Sequence, residues 1–272
     1  MMRNIVCFAV VLVVADLYLT SGRFVNYVPN DRLEDAKDKV SVGDELTALE
    51  DESLDSGVTK NSRNLLNHLI PTREKRKAVK DSSRRWTNNE IPFEIDYFQF
   101  NKDEVQIIYD AMYIWQHHTC LRFRPRETHD RNFVKFMKGE FCYSTTHGMN
   151  GGQQNISLPQ VCFNRQSTLH EIGHAIGFYH EHKRPDRDQY ITVHEENIED
   201  KFKYAFEKSN EIETYGLPYD YTSIMHYPWN AFSKNNEITI QTKDPSFQNI
   251  IGQTQDLSYY DIQLANLMYN CR

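Results

Sequence analysis

The sequence has no apolar run long enough to cross a membrane. Its longest such run, "IVCFAVVLVVA" at residues 5–15, has eleven residues and stops before Asp16, whereas a spanning helix needs about 20. The basic residue Arg3 precedes the run, and small residues follow it at 20–22. This order is typical of a secretory signal peptide, which we assign to residues 1–22 and expect to be removed. We therefore expect a secreted, extracellular protein with no membrane anchor.

The sequence also lacks a large excess of charge of either sign. Its 272 residues carry a formal net charge of −7, spread along the chain, so nothing in the composition favours binding to nucleic acid. Hydrophobic residues make up 39% of the chain. That content is enough for a packed core in one or two domains.

Cysteines are few, since the chain has only five. Cys7 would leave with the signal peptide, and Cys120, Cys142, Cys162 and Cys271 would remain. An even number in an oxidising compartment favours two disulfides, without deciding among the possible pairings. A four-cysteine zinc site is the alternative. Such sites usually contain closely spaced cysteine pairs, and the shortest gap here is twenty residues.

Residues 23 to about 70 contain few aromatic side chains and many charges, with no sustained apolar period. Such a segment cannot bury enough apolar surface to fold alone. The run "REKR" follows at 73–76. A dense basic run is most often a solvated surface, but at this place in a secreted chain it also fits the recognition sequence of a furin-type processing protease. We predict a removable propeptide at 23–76, activation by cleavage after Arg76, and a mature domain at 77–272.

Periodicity in the mature domain predicts a mixture of strands and helices, which is an α+β fold class. "IPFEID" (91–96) alternates as a strand does. Residues 101–118 place apolar side chains at helical spacing, behind Asn101 as a cap. A further helix is predicted near the C-terminus, where Ser258 and Asp261 have the spacing of a capping box. The other strand candidates are short: "LRFRP", "NFVKFMK" and "GGQQNISL".

The most informative stretch is "HEIGHAIGFYH", from His170 to His180. Residues four apart share one face of a helix, so His170 and His174 project together with Glu171 beside them. Two imidazoles at this spacing can bind Zn²⁺ while the carboxylate lies near the metal without binding it. Gly177 can take the left-handed conformation that follows the last turn of a helix. The chain would then reverse and return His180 as a third ligand.

The pattern HExxH arises by chance in some sequences, but the extended pattern HExxHxxGxxH is far rarer. Three protein ligands leave an open position for water, as in catalytic zinc sites. The alternative is a secreted, non-catalytic binding module that keeps a structural zinc. Closed structural sites normally have four protein ligands and no general base, so Glu171 favours the enzyme.

The run "HEIGHAIGFYHEHKRPDRD" (170–188) resembles the signature of the astacin family of secreted zinc metalloendopeptidases, and "SIMHY" (223–227) resembles that family's Met-turn. Trp86 followed by "IPF", then "GGQQNISL" and "YDYTSIMHY", resemble family segments in the same order, so the likeness extends over nearly all of 77–272. The chain is similar to a minimal member that consists of a catalytic domain alone. The resemblance implies a zincin-like fold of two subdomains with a cleft between them. A twisted sheet with helices would form the N-terminal half, and loops with one long helix the C-terminal half.

The resemblance also implies roles for individual residues. One Zn²⁺ per subunit would be bound by His170, His174 and His180, with Glu171 as the catalytic glutamate. Tyr227 matches a tyrosine that binds the resting metal and then stabilises the transition state, so it would be both a metal ligand and a catalytic residue. The other implied assignments are the methionine beneath the metal, Met225, the acid that meets the mature N-terminus, Glu181, and the disulfides Cys120–Cys271 and Cys142–Cys162.

The expected partners are extended peptide or protein substrates and the activating protease, and we expect a monomer. A substrate could pair through its main chain with the edge strand of the sheet, which we predict near "NISL" (155–158). The same stretch contains a glycosylation sequon with Asn155 as the acceptor.

Two positions depart from the family pattern. Family propeptides often carry F-x-G-D, whose aspartate binds the zinc. Here Asp44 stands in "SVGD" with Ser41 in place of Phe, and we expect Asp44 to act as the zymogen's zinc switch because a carboxylate can ligate zinc. Members that prefer acidic residues just after the cleaved bond often show an arginine after "GQ" near the C-terminus, where this chain has Thr254. Little acidic preference is therefore expected, unless another base such as Arg184 supplies the charge.

Another group of HExxH enzymes takes a glutamate as the third zinc ligand, about twenty residues after the second histidine. Glu196, in "ENIED", offers this alternative. Gly177, His180 and "SIMHY" argue against it, and an exposed helix face is the ordinary place for such a glutamate.

Overall fold

The computed structural model describes residues 78–272. The predicted signal peptide (1–22) and propeptide (23–76), with Asp44, and the predicted first mature residue, Lys77, lie outside the described residues. Across the part that is described, no helix combines the length and apolar character that crossing a membrane requires.

The described residues form three α-helices and nine strands, joined by loops and short 3-10 turns. The helices are α1 (Lys102–His118), α2 (Arg165–Ile176) and α3 (Tyr259–Met268). The strands are β1 (Ala78–Val79), β2 (Glu90–Ile95), β3 (Arg122–Pro125), β4 (Phe133–Met137), β5 (Tyr143–Ser144), β6 (Gln153–Ser157), β7 (Ile191–Val193), β8 (Ile212–Glu213) and β9 (Ile240–Thr242).

The largest sheet has five strands in the order β3-β2-β4-β6-β5. Strands β3, β2, β4 and β6 are parallel, whereas β5 is antiparallel to β6, with Tyr143 opposite Ser157. The edge strands are therefore β3 and, next to β6, β5, and the prediction that "NISL" forms the edge was wrong. β5 has only two paired residues, which is too short to show an alternating pattern in the sequence, yet it covers the side of β6 opposite to β4.

Helix α1 begins where the sequence predicts. The Asn101 side chain accepts a hydrogen bond from the Glu104 N–H at 2.9 Å, and the Glu104 carboxylate accepts one from the Asn101 N–H at 2.8 Å, which completes a capping box. On the buried face, the fully buried Trp115 donates its indole N–H to the Leu169 carbonyl of α2 at 3.2 Å. This bond ties α1 to the helix that carries the histidine motif.

Two hydrophobic cores lie in the described part of the chain. The larger one joins the five-stranded sheet to α1, α2 and α3, and it includes Trp115, Phe136 and Met268. The smaller one is built from strands β7 and β9 and the loops around them, with Ile191 and Ile240 among its buried residues. A half of sheet and helices therefore lies beside a loop-rich half, and the α+β prediction is confirmed.

Two disulfides connect these elements. Cys120, just before β3, is bonded to Cys271, just after α3, with their Cα atoms 5.3 Å apart. Cys142 is bonded to Cys162 with Cα atoms 6.2 Å apart. The second bond ties the edge strand β5 to the turn that precedes α2.

Candidate metal centre and cleft

Helix α2 carries the first two histidines of the motif. It begins at a cap in which the Asn164 side chain accepts the Ser167 N–H at 2.8 Å. It ends at Gly177, whose φ of 124° is a conformation that glycine alone adopts readily. A Cβ atom at Gly177 would also collide with Met268 of α3. The chain reverses at this glycine, and His180 returns to the side of the helix.

The three histidines converge at one point. The Nε2 atom of His180 lies 3.1 Å from Nε2 of His170 and 3.2 Å from Nε2 of His174. All three residues can offer a ligand atom within a region 4.8 Å across. Burial, followed by the neighbouring imidazoles, lowers the pKa of His174 and His180 well below the usual value for histidine, so both rings are neutral near pH 7.

Backbone carbonyls orient two of the rings. Nδ1 of His170 lies 2.8 Å from the Ile224 carbonyl, and Nδ1 of His174 lies 2.8 Å from the Phe178 carbonyl. A carbonyl can only accept, so each Nδ1 carries the proton and each Nε2 presents a lone pair. His180 could donate a proton at Nε2 to only one of them, whereas a cation at the centre satisfies all three. Three neutral imidazoles are an ordinary zinc donor set, so these residues fit the metal.

Glu171 lies beside the histidines with only 6% of its surface exposed. Its Oε2 atom has no hydrogen-bond partner among the described residues. Burial raises the pKa of Glu171 to about 8, and a backbone hydrogen bond from Ser144 acts in the opposite direction. A carboxyl group in this setting can accept and release a proton near neutral pH.

These groups line one cavity of about 300 Å³. Its walls come from β5 and its flanks, from α2 and the chain after it, and from the last residue of the Met-turn segment: Cys142, Tyr143, Ser144, His147, His170, Glu171, His174, His180 and Tyr227. The edge strand β5 and the histidine site thus belong to the same cleft.

Tyr227 and Met225 have different roles near this site. The Tyr227 ring is 4.4 Å from the His180 ring, centre to centre, and burial raises the pKa of its hydroxyl to about 12. Met225 is fully buried and packs closely against Gly173 of α2. A Cβ atom added to Gly173 would come within 2.8 Å of the Met225 sulfur. Met225 is therefore a packing residue, whereas Tyr227 keeps its hydroxyl protonated at neutral pH.

Comparison with known proteins agrees with this geometry. The family model described as Astacin, a peptidase family, matches residues 78–270. The chain belongs to the astacin family.

Among the relatives, zinc metalloproteinase nas-6 of Caenorhabditis elegans is 39% identical over 197 residues, covering 72% of this chain and 56% of the relative. Blastula protease 10 of Paracentrotus lividus is 38% identical, covering 77% of this chain and 36% of the relative. The chain thus spans about half or less of the length of these two proteins. Among solved structures, the hatching enzyme zinc-protease HCE-1 of Oryzias latipes is similar with a TM-score of 0.66 and 37% identity, covering 72% of this chain and all of that one.

In this astacin-family chain, Glu181 is completely buried just after the third histidine. Its Oε1 atom accepts hydrogen bonds from Nη1 of Arg184 at 3.0 Å and from the Asp220 N–H at 2.9 Å. Arg184 is only 2% exposed and also pairs with Asp186 at 2.8 Å. The suggestion that Arg184 supplies a charge for acidic substrates was therefore wrong, because Arg184 is buried and the carboxylates of Glu181 and Asp186 already pair with its guanidinium.

Two further predicted positions lie away from the histidines. The Glu196 carboxylate is 71% exposed and pairs with His194 at 3.1 Å, and the group of possible metal ligands in the described residues does not include it. Asn155 lies in β6 between the buried residues Gln154 and Ile156, so its side chain is on the opposite, more exposed face of the sheet.

Sequence reasoning missed His147, which lines the cavity. Its ring stacks on Tyr179 at 4.1 Å and meets the edge of the His174 ring at 4.9 Å. Burial lowers the pKa of His147 to about 4. It stands alone in a loop with no spacing pattern, so only the folded chain shows that it belongs to the cleft.

Proposed function

We propose that this protein is a secreted, zinc-dependent endopeptidase that hydrolyses peptide bonds in extracellular proteins. The observation that carries the proposal is the convergence of three imidazole Nε2 atoms beside the buried carboxyl group of Glu171, within one open cleft. His170, His174 and His180 would hold the metal, and Tyr227 is the candidate for a further ligand. The shared family and the names of the relatives support the same activity.

Each of these residues of the cleft would have a separate role in the reaction. Bound zinc supplies a Lewis acid that polarises the peptide carbonyl and activates a water molecule. Glu171 would take the proton of the attacking water on its carboxylate and then deliver it to the departing amine. The protonated Tyr227 hydroxyl would donate a hydrogen bond to the oxygen on which negative charge develops.

An extended substrate would pair with β5. This strand is an edge of the sheet and contributes Tyr143 and Ser144 to the cavity. Main-chain pairing at a free edge positions a peptide without strong demands on its side chains. The scissile bond would then lie between the strand and the three histidines, next to Glu171.

The test uses the processed form, residues 77–272, with casein turnover and bound zinc measured separately. Glu171→Gln should retain zinc and lose turnover by about 10²–10⁴-fold, since it removes only the proton carrier. His180→Ala should lose zinc affinity, and Glu196→Ala is the matched control that should change neither quantity. A chelator should abolish wild-type turnover, and added zinc should restore it. If wild type binds zinc but turns over no protein substrate, the site is structural, and if Glu196→Ala strips the metal, the ligand assignment is wrong.

We also propose that the chain is secreted as a zymogen, with residues 1–22 as signal peptide and 23–76 as propeptide. The family match begins at residue 78, which supports a mature domain from Lys77. Asp44 would occupy the metal in the precursor, so Asp44→Ala in a precursor that cannot be cleaved at Arg76 should raise basal turnover. Unchanged latency would indicate steric blocking instead.

Glycosylation of Asn155 belongs to the same proposal. Asn155 is partly exposed, which supports access of a glycan to its side chain. A glycosidase should reduce the mass of the secreted wild type and leave Asn155→Gln unchanged, and equal masses for untreated wild type and variant would contradict it.

A further inference from the structure

An apolar rim borders the cleft at the Cys142–Cys162 disulfide. Phe141 and Val161 each precede one of the bonded cysteines, and they are 71% and 87% exposed. Tyr143, which follows Cys142, is 38% exposed and lines the cavity. Scattered apolar side chains on a surface are ordinary, but a group of them at one place marks a binding site.

The disulfide holds this group together. The Cα atoms of the two cysteines are 6.2 Å apart, and consecutive Cα atoms are about 3.8 Å apart, so the Cα atoms of Phe141 and Val161 are within about 14 Å of each other. The loop before β5 is also held from below, because the Ser157 hydroxyl donates to the Phe141 carbonyl at 2.6 Å. Phe141 and Val161 are therefore presented on fixed backbone beside the edge strand.

The position of the rim sets which substrate residue would contact it. Ser144 of β5 lines the same cavity as Glu171, and Phe141 precedes Ser144 by three positions. An extended chain rises about 3.3 Å per residue, so Phe141, the far end of the rim, lies at most about 10 Å along the chain from Ser144, whereas Tyr143 is next to Ser144. A peptide paired with β5 would bring a side chain about three residues from the scissile bond over the rim.

We infer that the rim formed by Phe141, Tyr143 and Val161 selects an apolar side chain at this position of the substrate. The inference rests on the proposed function and deepens it by naming a substrate class. None of the three rim side chains is charged, so a charged or strongly polar side chain that packed against them would lose hydration without gaining a partner from them.

The experiment compares two variants in the processed protein. Phe141→Ser combined with Val161→Ser removes the two most exposed side chains of the rim, and Phe98→Ser combined with Tyr259→Ser is the matched control, since Phe98 and Tyr259 are 100% and 68% exposed and lie on other segments, before α1 and in α3. A peptide library first identifies a cleaved sequence or, if none is cleaved, a sequence that binds the protein carrying Glu171→Gln. Peptides with Leu or Ser at the third position on each side of the bond then serve as probes. For each pair of Leu and Ser peptides, turnover is measured with wild type, the rim variant and the control. Equilibrium binding is then measured with the same three proteins carrying Glu171→Gln.

We expect the Leu peptide to be favoured about 10-fold at one of the two positions, a ratio typical of an apolar contact. The rim variant should lose this ratio while it keeps its Tm and its turnover of the Ser peptide, and the control should keep the ratio. Tighter binding of the Leu peptide supports the rim even if wild type turns over no peptide. The lack of turnover would contradict only the proposed function. Equal binding of the Leu and Ser peptides, or a ratio that persists in the rim variant, overturns the inference. A dimer that only the rim variant dissociates also overturns it, because a second copy would then cover the rim.

Discussion

The carboxylate of Asp261 accepts a hydrogen bond from the backbone N–H of Ile224 at 2.8 Å. The carbonyl of the same Ile224 faces Nδ1 of His170, also at 2.8 Å. Asp261 further accepts the Ser223 hydroxyl at 2.7 Å, while its partner in the capping box of α3 is Ser258. A single residue of the Met-turn segment therefore connects the cap of the last helix to a histidine of the candidate metal site.

This connection predicts that Asp261 is a positioning residue. Asp261→Ala should lower the free energy of unfolding by about 3 kcal/mol, because buried donors lose their acceptor. It should also weaken zinc binding by about 10-fold, as loss of outer-shell support for a ligating histidine does. Competition with a chromophoric chelator would measure the affinity under conditions where each protein is folded.

The control for this prediction is Asp256→Asn, since the Asp256 carboxylate is 52% exposed and pairs with Arg165 at the surface. It should change neither quantity. If folded Asp261→Ala binds zinc as tightly as wild type, Asp261 only caps the helix.

Tyr227→Phe tests the proposed oxyanion donor. Burial raises the pKa of the Tyr227 hydroxyl to about 12, so wild type has this donor throughout the neutral range. Removing it should lower kcat by about 100-fold, with a much smaller change in KM. The aromatic packing against His180 and His182 remains in the variant, so Tm and zinc content should stay close to wild type. Unchanged kcat would show that another group stabilises the developing charge.

The features that follow from short-range pattern could be predicted from the sequence. The capping residues Asn101, Ser258 and Asp261 mark their helices by local hydrogen bonding, and the glycine in the histidine motif marks the reversal of the chain. Features that depend on distant packing could not be predicted. Strand β5 is too short to carry a pattern, and it exists because β6 offers it a partner. Arg184 looks like a solvated base in the sequence, but Glu181 and Asp186 neutralise it inside the fold.

Substrate specificity should show little preference for Asp or Glu just after the cleaved bond. Thr254 stands where an arginine would supply a positive group, and Arg184 is buried and paired. Thr254→Arg should therefore create an acidic preference of about 10-fold, since a guanidinium binds a carboxylate in two hydrogen bonds. Thr254→Gln is the uncharged control. Cleavage profiling of a peptide library would measure both, and strong acidic selection by wild type would contradict the prediction.

The first described strand lies against the chain that carries the third histidine. Ala78 is fully buried, pairs with Glu213 of β8, and forms a bridge with Phe178. Phe178 precedes His180 by two residues, and Glu181 follows His180 directly. Cleavage after Arg76 would leave an α-amine one residue before Ala78, and that amine is positively charged at neutral pH. We expect this amine to lie near Glu181 and to fix the loop after His180.

Coupling between the mature N-terminus and Glu181 is tested with three proteins: the form beginning at Lys77, the same form with two extra N-terminal residues, and Glu181→Gln. Glu181→Gln should lower the free energy of unfolding by about 3 kcal/mol, because Arg184 and the new amine would both lose a buried partner. The extended form keeps the Glu181–Arg184 pair but displaces the amine, so it should lose less stability and still show reduced turnover. Thermal unfolding and casein turnover measure the two effects, and Glu207→Gln, at an exposed position, controls for loss of a carboxylate. If only Glu181→Gln differs from the Lys77 form, the buried pair with Arg184 accounts for the whole effect, and the N-terminus has no part in it.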